Sequence, residues 1–240
     1  MELFMEIMLF VLGTCVGSFI NMLVYRTAVR YGLTKNKITN KNRSFCDYCG
    51  RQLKWYENIP VISWVVQKGK TRCCGKNLPK EYPLVEMIMG IIFVMVGLRM
   101  ELLIATLLAF SLIFDLKYMI LPDFSTYILI VLAIIIGHNW FSGLGAGLFL
   151  LILYLVTKGK GMGFGDVKLA LFMGLFLGYP NIIVAFYLAF IIGAVVGVTL
   201  LVTKTIKRKQ PIPFGPFLIL GTTIAYYWGE KIMYYFSRWL

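Results

Sequence analysis

The sequence predicts an all-α fold, a polytopic membrane helical bundle with one small soluble loop domain. Three observations predict it. Of 240 residues, 59% are hydrophobic and the mean hydropathy is +0.78, whereas a soluble domain of ordinary composition is about half apolar. The apolar residues gather in long uncharged runs without period-two alternation, and a bilayer admits only helices or closed barrels. The basic residues are confined to a few of the segments between those runs.

Eight runs read as spans: 3–25, 83–98, 102–115, 124–138, 142–157, 168–178, 181–203 and 217–236. Several are shorter than the ~20 residues that cross a full hydrocarbon core. Short runs with Gly or Pro at their ends can dip, tilt or thin the membrane, so six or seven crossings also fit the pattern. The first run begins among the acidic Glu2 and Glu6 and precedes Arg26, the reverse of a cleaved signal. Residues 1–25 therefore read as an N-terminal anchor, 26–82 as a soluble cysteine loop domain and 83–240 as the membrane core. Stretches 143–147 and 159–165 are Gly-rich, and no internal repeat is evident.

Charge sets the orientation. Segments 26–82, 116–123, 158–168 and 203–216 hold 21 of the 24 Lys and Arg residues. With eight crossings all four lie on one side, which the positive-inside rule assigns to the cytoplasm. The N-terminus and loop 137–145 then face outward. The net charge of +13 belongs to ordinary cytoplasmic loops, and a nucleic-acid partner is not expected.

The acidic residues near the spans carry the chemistry. Asp115 closes the run Leu102–Phe114, and Asp166 precedes the run Leu169–Leu177. Charged groups in a membrane protein are functional candidates by default. Both fall at the cytoplasmic interface on different helices, so they can converge. Two close carboxylates would share a proton, leaving one as base towards water and the other as acid towards a carbonyl oxygen. Gly163 and Gly165 flank the second segment and would let a substrate backbone approach. The structural alternatives are a helix N-cap for Asp166 with Lys168 at the headgroups, and a snorkelling end charge beside Lys117 for Asp115. Asp123 follows Pro122 at a good N-cap position. Glu86 lies one turn into a span, where a carboxylate complements the helix dipole.

Cys46-x2-Cys49 and the adjacent Cys73-Cys74 suggest a four-thiolate zinc site. Such a staple would compensate for a loop too small to bury a core. The second pair lacks the usual spacing, so free or redox thiols remain the alternative. Cys15 reads as a small buried hydrophobe within the first span. His138, the single histidine, falls on the outer side beside Asn139 and Trp140, where an interfacial role is expected.

The motifs, in order, resemble those of the type IV prepilin peptidases, the bacterial leader peptidases and N-methyltransferases. They are Gly17-Ser18-Phe19-Ile20-Asn21 with Tyr25-Arg26, the pair Cys46 and Cys49, Glu57-Asn58-Ile59-Pro60 with Ser63-Trp64, and Tyr82-Pro83-Leu84-Val85-Glu86. Asp115 with Ile120-Leu121-Pro122-Asp123, then Gly163-Phe164-Gly165-Asp166-Val167-Lys168, and Pro211-Ile212-Pro213-Phe214-Gly215-Pro216 complete the series. The resemblance implies an aspartic endopeptidase of the bacterial cytoplasmic membrane, with its active site on the cytoplasmic side. It would cut the basic leader from prepilins or pseudopilins after a glycine and methylate the new N-terminus from S-adenosylmethionine.

On that basis Asp115 and Asp166 would be catalytic, with Gly163, Gly165, Lys168 and Asp123 in support. Glu86 would be a cofactor contact, and Cys46, Cys49, Cys73 and Cys74 would be metal ligands. The chain departs from the family where CxxC is usual, at Cys73-Cys74, and its connection between the two aspartates is shorter, consistent with a trimmed hairpin near 137–145. A peptidase without methyl transfer, a proton-coupled transporter and a membrane scaffold are the alternatives. Midplane carboxylates would mark the transporter, and tolerance of Asp115→Asn and Asp166→Asn would mark the scaffold.

Overall fold

The computed structural model describes residues 2–34, 44–46, 48–137, 139–159, 161–205 and 210–238. His138, Asp47 and the basic residues Lys35, Lys37, Lys41, Arg43, Lys160, Lys207, Arg208 and Lys209 lie outside the described residues. So the expectation for His138, and part of that for loops 26–82, 158–168 and 203–216, falls there too.

Each of the eight apolar runs is a helix: α1 (Glu2–Arg30), α3 (Glu81–Val96), α4 (Met100–Tyr118), α5 (Asp123–Ile136), α6 (Trp140–Val156), α7 (Phe164–Leu177), α8 (Asn181–Val202) and α9 (Gly215–Ser237). A short α2 (Ile62–Val66) and a 3-10 turn (Trp55–Asn58) lie in the cysteine loop. Among the described residues there is no β-strand, only the isolated bridges Phe45–Gln52 and Lys70–Asn77. The bounds shift where hydropathy is a poor guide. Helix α1 continues through Arg26 to Arg30, and α7 begins at Phe164, ahead of its apolar run.

Helices α1 and α8 are long and apolar enough to cross a membrane, and α5 and α6 are shorter apolar helices. Their outward faces stay apolar. On α6, Phe141, Leu144, Leu148, Ile152 and Leu155 are exposed, and on α1 so are Leu3, Phe4, Ile7, Met8 and Val11. Water would not tolerate patches of this kind on a monomer; lipid does.

The chain divides into two compact units, Met1–Thr106 and Leu107–Leu240. In the first, α1 packs on α3 through small residues, as helices do where lipid removes the hydrophobic drive. A Cβ at Gly13 would lie 2.6 Å from the Met89 carbonyl oxygen, and one at Gly17 2.7 Å from the Glu86 Cα. This face turns Cys15 outward. Cys15 is exposed, which corrects its expected burial. The cysteine loop folds as two tight hairpins, closed by the two bridges, with the 3-10 turn and α2 between them. Equivalent residues stand 25 positions apart, 45 to 70 and 52 to 77. The two hairpins thus share one backbone pattern, a likeness of local structure that is not a repeat in the sequence. Few side chains are shared between the copies, so only the backbone reveals it.

The second unit is centred on α7, which packs against α5, α6, α8 and α9. Phe110, Phe114, Leu129, Leu150, Leu169, Phe172, Met173 and Leu218 form its fully buried core. The Ser111 and Ser125 hydroxyls join α4 to α5 at 3.0 Å. Bonds of this kind within membrane bundles are worth on average about 0.6 kcal/mol.

Candidate active site and cysteine centre

Helix α4 ends one turn after Asp115. Met119 takes a left-handed backbone conformation (φ 55°) and donates its N–H to the Asp115 carbonyl at 2.8 Å. Ile120-Leu121-Pro122 then leads into α5. Asp115 is not a snorkelling end charge. Its residue is only 4% exposed, and its Oδ2 has no hydrogen-bond partner among the described groups. The backbone N–H of Gly215, at the start of α9, faces this carboxylate.

Asp166 is not the N-cap of α7. Gly163 holds that place, and Asp166, three residues on, reaches back to accept the Gly163 N–H on Oδ2 at 3.0 Å. This is the carboxylate half of a capping box, and it fixes the side chain with a single backbone bond. Asp166 is buried too, and it lies close enough to Asp115 for their charges to interact.

Both aspartates line one cavity of about 480 Å³, together with Gly163, Lys168, Asp123 and the segment Pro211–Phe214. The two glycines differ. A Cβ at Gly163 would meet nothing nearer than Asp166 Oδ2 at 3.8 Å, but one at Gly165 would press on the Leu121 Cβ at 3.0 Å. Gly165 also lines the cavity, and its missing side chain leaves room for Leu121 as well, whereas a side chain at Gly163 would point into more open space.

Asp123 is not an N-cap either. Pro122 occupies that position, and the Ser125 and Thr126 hydroxyls donate to its carbonyl. The Asp123 carboxylate instead pairs with Lys168 Nζ at 2.7 Å, while Lys168 also lies 4.8 Å from the Tyr127 ring and 5.3 Å from the Phe164 ring. Asp123 is largely exposed, so the pair adds no more than about 1 kcal/mol. It joins α5 to α7 at the mouth of the cavity.

Gly215 is the residue whose role sequence reasoning did not single out. A Cβ there would overlap Asp115 Oδ2. The available signal was Gly215 followed by Pro216, a helix start. Gly215→Ala is expected to displace Asp115 and lower turnover by about 10²-fold, the cost of an ångström-scale misplacement. Steady-state rates at unchanged thermal stability check this.

In the first unit the four cysteine sulfurs lie within 4.8 Å of one another. Cys49 and Cys73 are 3.3 Å apart, Cys46 and Cys74 3.9 Å, and Cys73 and Cys74 3.9 Å. A metal held tetrahedrally at ~2.3 Å needs sulfurs about 3.8 Å apart. The adjacent pair therefore does not prevent four-thiolate coordination. The Thr71 hydroxyl and then the Lys76 N–H pull the Cys74 thiol down to about 7. Burial and then the neighbouring thiols push Cys73 up to about 12. A divalent cation bound here would displace the thiol protons.

Beside the sulfurs lies a second cavity of about 140 Å³, lined by Cys46, Cys73, Tyr25, Trp64, Tyr82 and Glu86 among others. Glu86 accepts the Val61 N–H at 2.7 Å and a bond from the Ser18 hydroxyl. Val61 is a β-branched residue at φ 59°, a strained conformation that this bond helps to hold. Trp64 Nε1 is buried with no partner among the described groups. Glu57 receives the Lys54 N–H and two bonds from Arg51; the Lys54 bond foremost, then Arg51, holds its carboxyl below the usual range.

Residues 11–100 match the bacterial peptidase A24 N-terminal domain, and residues 102–198 match the type IV leader peptidase family. A protein of Bacillus subtilis named prepilin leader peptidase/N-methyltransferase is 32% identical, over 96% of this chain and 97% of its own. The chain belongs to the type IV leader peptidase family. Proteins of the same name from Stutzerimonas stutzeri and Pseudomonas aeruginosa are also 32% identical, over 92% of this chain and 90% and 89% of theirs. No solved structure matches the chain. As a leader peptidase family member it carries its cysteine centre within the first matched segment and both buried aspartates within the second.

Proposed function

We propose that this chain is a membrane aspartic endopeptidase. It removes the basic leader of type IV prepilins and pseudopilins and then methylates the new N-terminus. The observation that carries the reading is the cavity in which Asp115 and Asp166, from separate helices, sit buried together.

The two carboxylates share one proton. The ionised one takes a proton from water as its oxygen attacks the scissile carbonyl, and the protonated one gives its proton to the carbonyl oxygen. The tetrahedral adduct collapses as the amine takes the proton that the first carboxylate received from water, and a hydroxyl of the adduct returns its proton to the other carboxylate. No covalent enzyme intermediate forms. Gly163 leaves room beside Asp166 for the substrate backbone. The enzyme works in the bacterial cytoplasmic membrane with the mouth of this cavity on the cytoplasmic side, a reading supported by the basic segments. Labelling of single cysteines in intact cells by an impermeant reagent tests it, and reaction within 26–82 would overturn it.

For methyl transfer, the cavity beside the cysteines fits the donor's sulfonium end. It offers the buried Glu86 carboxylate, the Tyr25 and Tyr82 rings and the unpartnered Trp64 N–H, and aromatic faces attract cations. Its volume of about 140 Å³ lies below the ~300 Å³ of pockets enclosing whole ligands, so only the reacting end would enter. S-adenosylmethionine supplies the methyl group when bound. Glu86 and the rings hold positive charge at that point, and the cysteine centre, with zinc as its metal, keeps the loop folded.

Expression in a bacterial strain lacking its own leader peptidase tests the proposal. A co-expressed prepilin is expected to convert to the shorter form on immunoblots. A prepilin that stays full length, with this chain present in the membrane, would contradict it.

A further inference from the structure

The two hairpins of the cysteine loop are the same backbone unit built twice. In the first, the Cys46 N–H donates to the Arg51 carbonyl at 2.8 Å, the Gly50 N–H to the Cys46 carbonyl at 2.9 Å, and the Leu53 N–H to the Ser44 carbonyl at 2.9 Å. In the second, the Thr71 N–H donates to the Lys76 carbonyl at 2.8 Å, the Gly75 N–H to the Thr71 carbonyl at 2.9 Å, and the Leu78 N–H to the Gly69 carbonyl at 2.8 Å. Gly50 and Gly75 take the same left-handed conformation, with φ of 71° and 68°. Superposing the bond patterns pairs Cys49 with Cys74, Gly50 with Gly75 and Leu53 with Leu78. It also pairs Cys46 with Thr71, and Tyr48 with Cys73.

Each such turn directs two side chains towards the sulfur cluster, one before the tight turn and one just ahead of its glycine. In the first hairpin both are thiols. In the second the leading position carries Thr71, whose hydroxyl stands 3.1 Å from Cys74 Sγ. Cys73 lies two residues on, and its sulfur still reaches 3.3 Å from Cys49 Sγ. Its counterpart Tyr48 reaches across to the second hairpin and donates its hydroxyl to the Asn77 carbonyl at 2.9 Å.

We propose that the cysteine centre is a pseudo-symmetric pair of metal-binding knuckles in which Thr71 occupies the place of the fourth ligand and Cys73 supplies the missing thiolate from the position that Tyr48 holds in the first hairpin. The proposal rests on the reading of the cluster as a metal site. It explains why the adjacent Cys73-Cys74 pair can still close a tetrahedron. Three sulfurs come from regular knuckle positions on two hairpins, and the fourth bridges back across them. Thr71 is then a supporting group that hydrogen-bonds the Cys74 sulfur, of the kind that orients metal ligands.

Cobalt(II) uptake by the reduced, full-length protein in detergent tests this, because thiolate-to-cobalt absorption reads the number of bound sulfurs. The wild type is expected to bind one cobalt through four thiolates. Cys73→Ala is expected to lose the contribution of one thiolate, Thr71→Val to keep the wild-type spectrum, and the double variant Thr71→Cys/Cys73→Ala to regain four. A wild type that takes up no cobalt would sink the metal reading itself. A wild type that binds, with Cys73→Ala keeping its full spectrum, would make Cys73 a spectator and overturn this proposal alone. Failure of the double variant to regain the fourth thiolate would overturn the equivalence of the two knuckles.

Discussion

Asp115→Asn and Asp166→Asn each remove prepilin cleavage while the protein still accumulates in the membrane. The replacements are nearly isosteric. In Asp166→Asn the side-chain amide oxygen can still accept the Gly163 N–H that now bonds Asp166 Oδ2 at 3.0 Å, so the start of α7 is preserved. An amide, however, can neither take a proton from water nor return one. General acid or base catalysis contributes about 10²–10⁴-fold per group, and with one member gone the other cannot serve both roles. A fall of at least about 10³-fold is expected for each single variant. Release of the leader, followed by mass analysis at matched protein concentration, measures it. A single variant that cleaves within about tenfold of wild type would remove that residue from the catalytic pair.

The second large effect belongs to the cysteine loop. Cys46→Ser/Cys49→Ser removes the two ligands of the first hairpin, both within 4.8 Å of the other two sulfurs. Structural zinc contributes about 10–16 kcal/mol of apparent binding free energy in small peptide sites, and a loop of this size has little core to replace it. The variant is expected to lose bound metal, and its loop to become sensitive to limited proteolysis. Methyl transfer is expected to fall further than leader cleavage, because Asp115 and Asp166 lie in a different unit of the chain. Elemental analysis, proteolysis and the ratio of methylated to unmethylated product give the three readouts. Wild-type metal content in the variant, or equal loss of both activities, would contradict this assignment.

Much of this was legible in the sequence. Eight apolar runs became eight helices, because lipid-compatible runs without alternation have no other way to satisfy their backbone. The convergence of Asp115 and Asp166 followed from each being a lone carboxylate at the end of a run. What escaped was set by backbone geometry and by neighbours distant in sequence. Asp123 reads as an N-cap from Pro122 and the run behind it, yet its partner is Lys168, 45 residues on. Gly165 lines the cavity, and the sequence did not show that it also has Leu121 packed against it. Gly215 appeared only as part of a motif until the start of α9 was seen against Asp115. Cys15 has the composition of a core residue, and only the Gly13–Gly17 packing face shows that it points outward. The likeness of the two hairpins in the cysteine loop stayed hidden because few side chains recur between them, although the hydrogen bonds match one for one.

The central claim is that this one chain cuts a prepilin and methylates what it has cut. Incubation of the purified protein with a purified prepilin and S-adenosylmethionine, followed by intact-mass analysis of the products, tests it most directly. The account predicts a single cut after a glycine ahead of the apolar segment, and a mature product heavier by one methyl group only when S-adenosylmethionine is present. A prepilin that remains intact alongside folded, membrane-competent protein would contradict the peptidase reading. A cut product that never gains a methyl group would contradict the methyltransferase half.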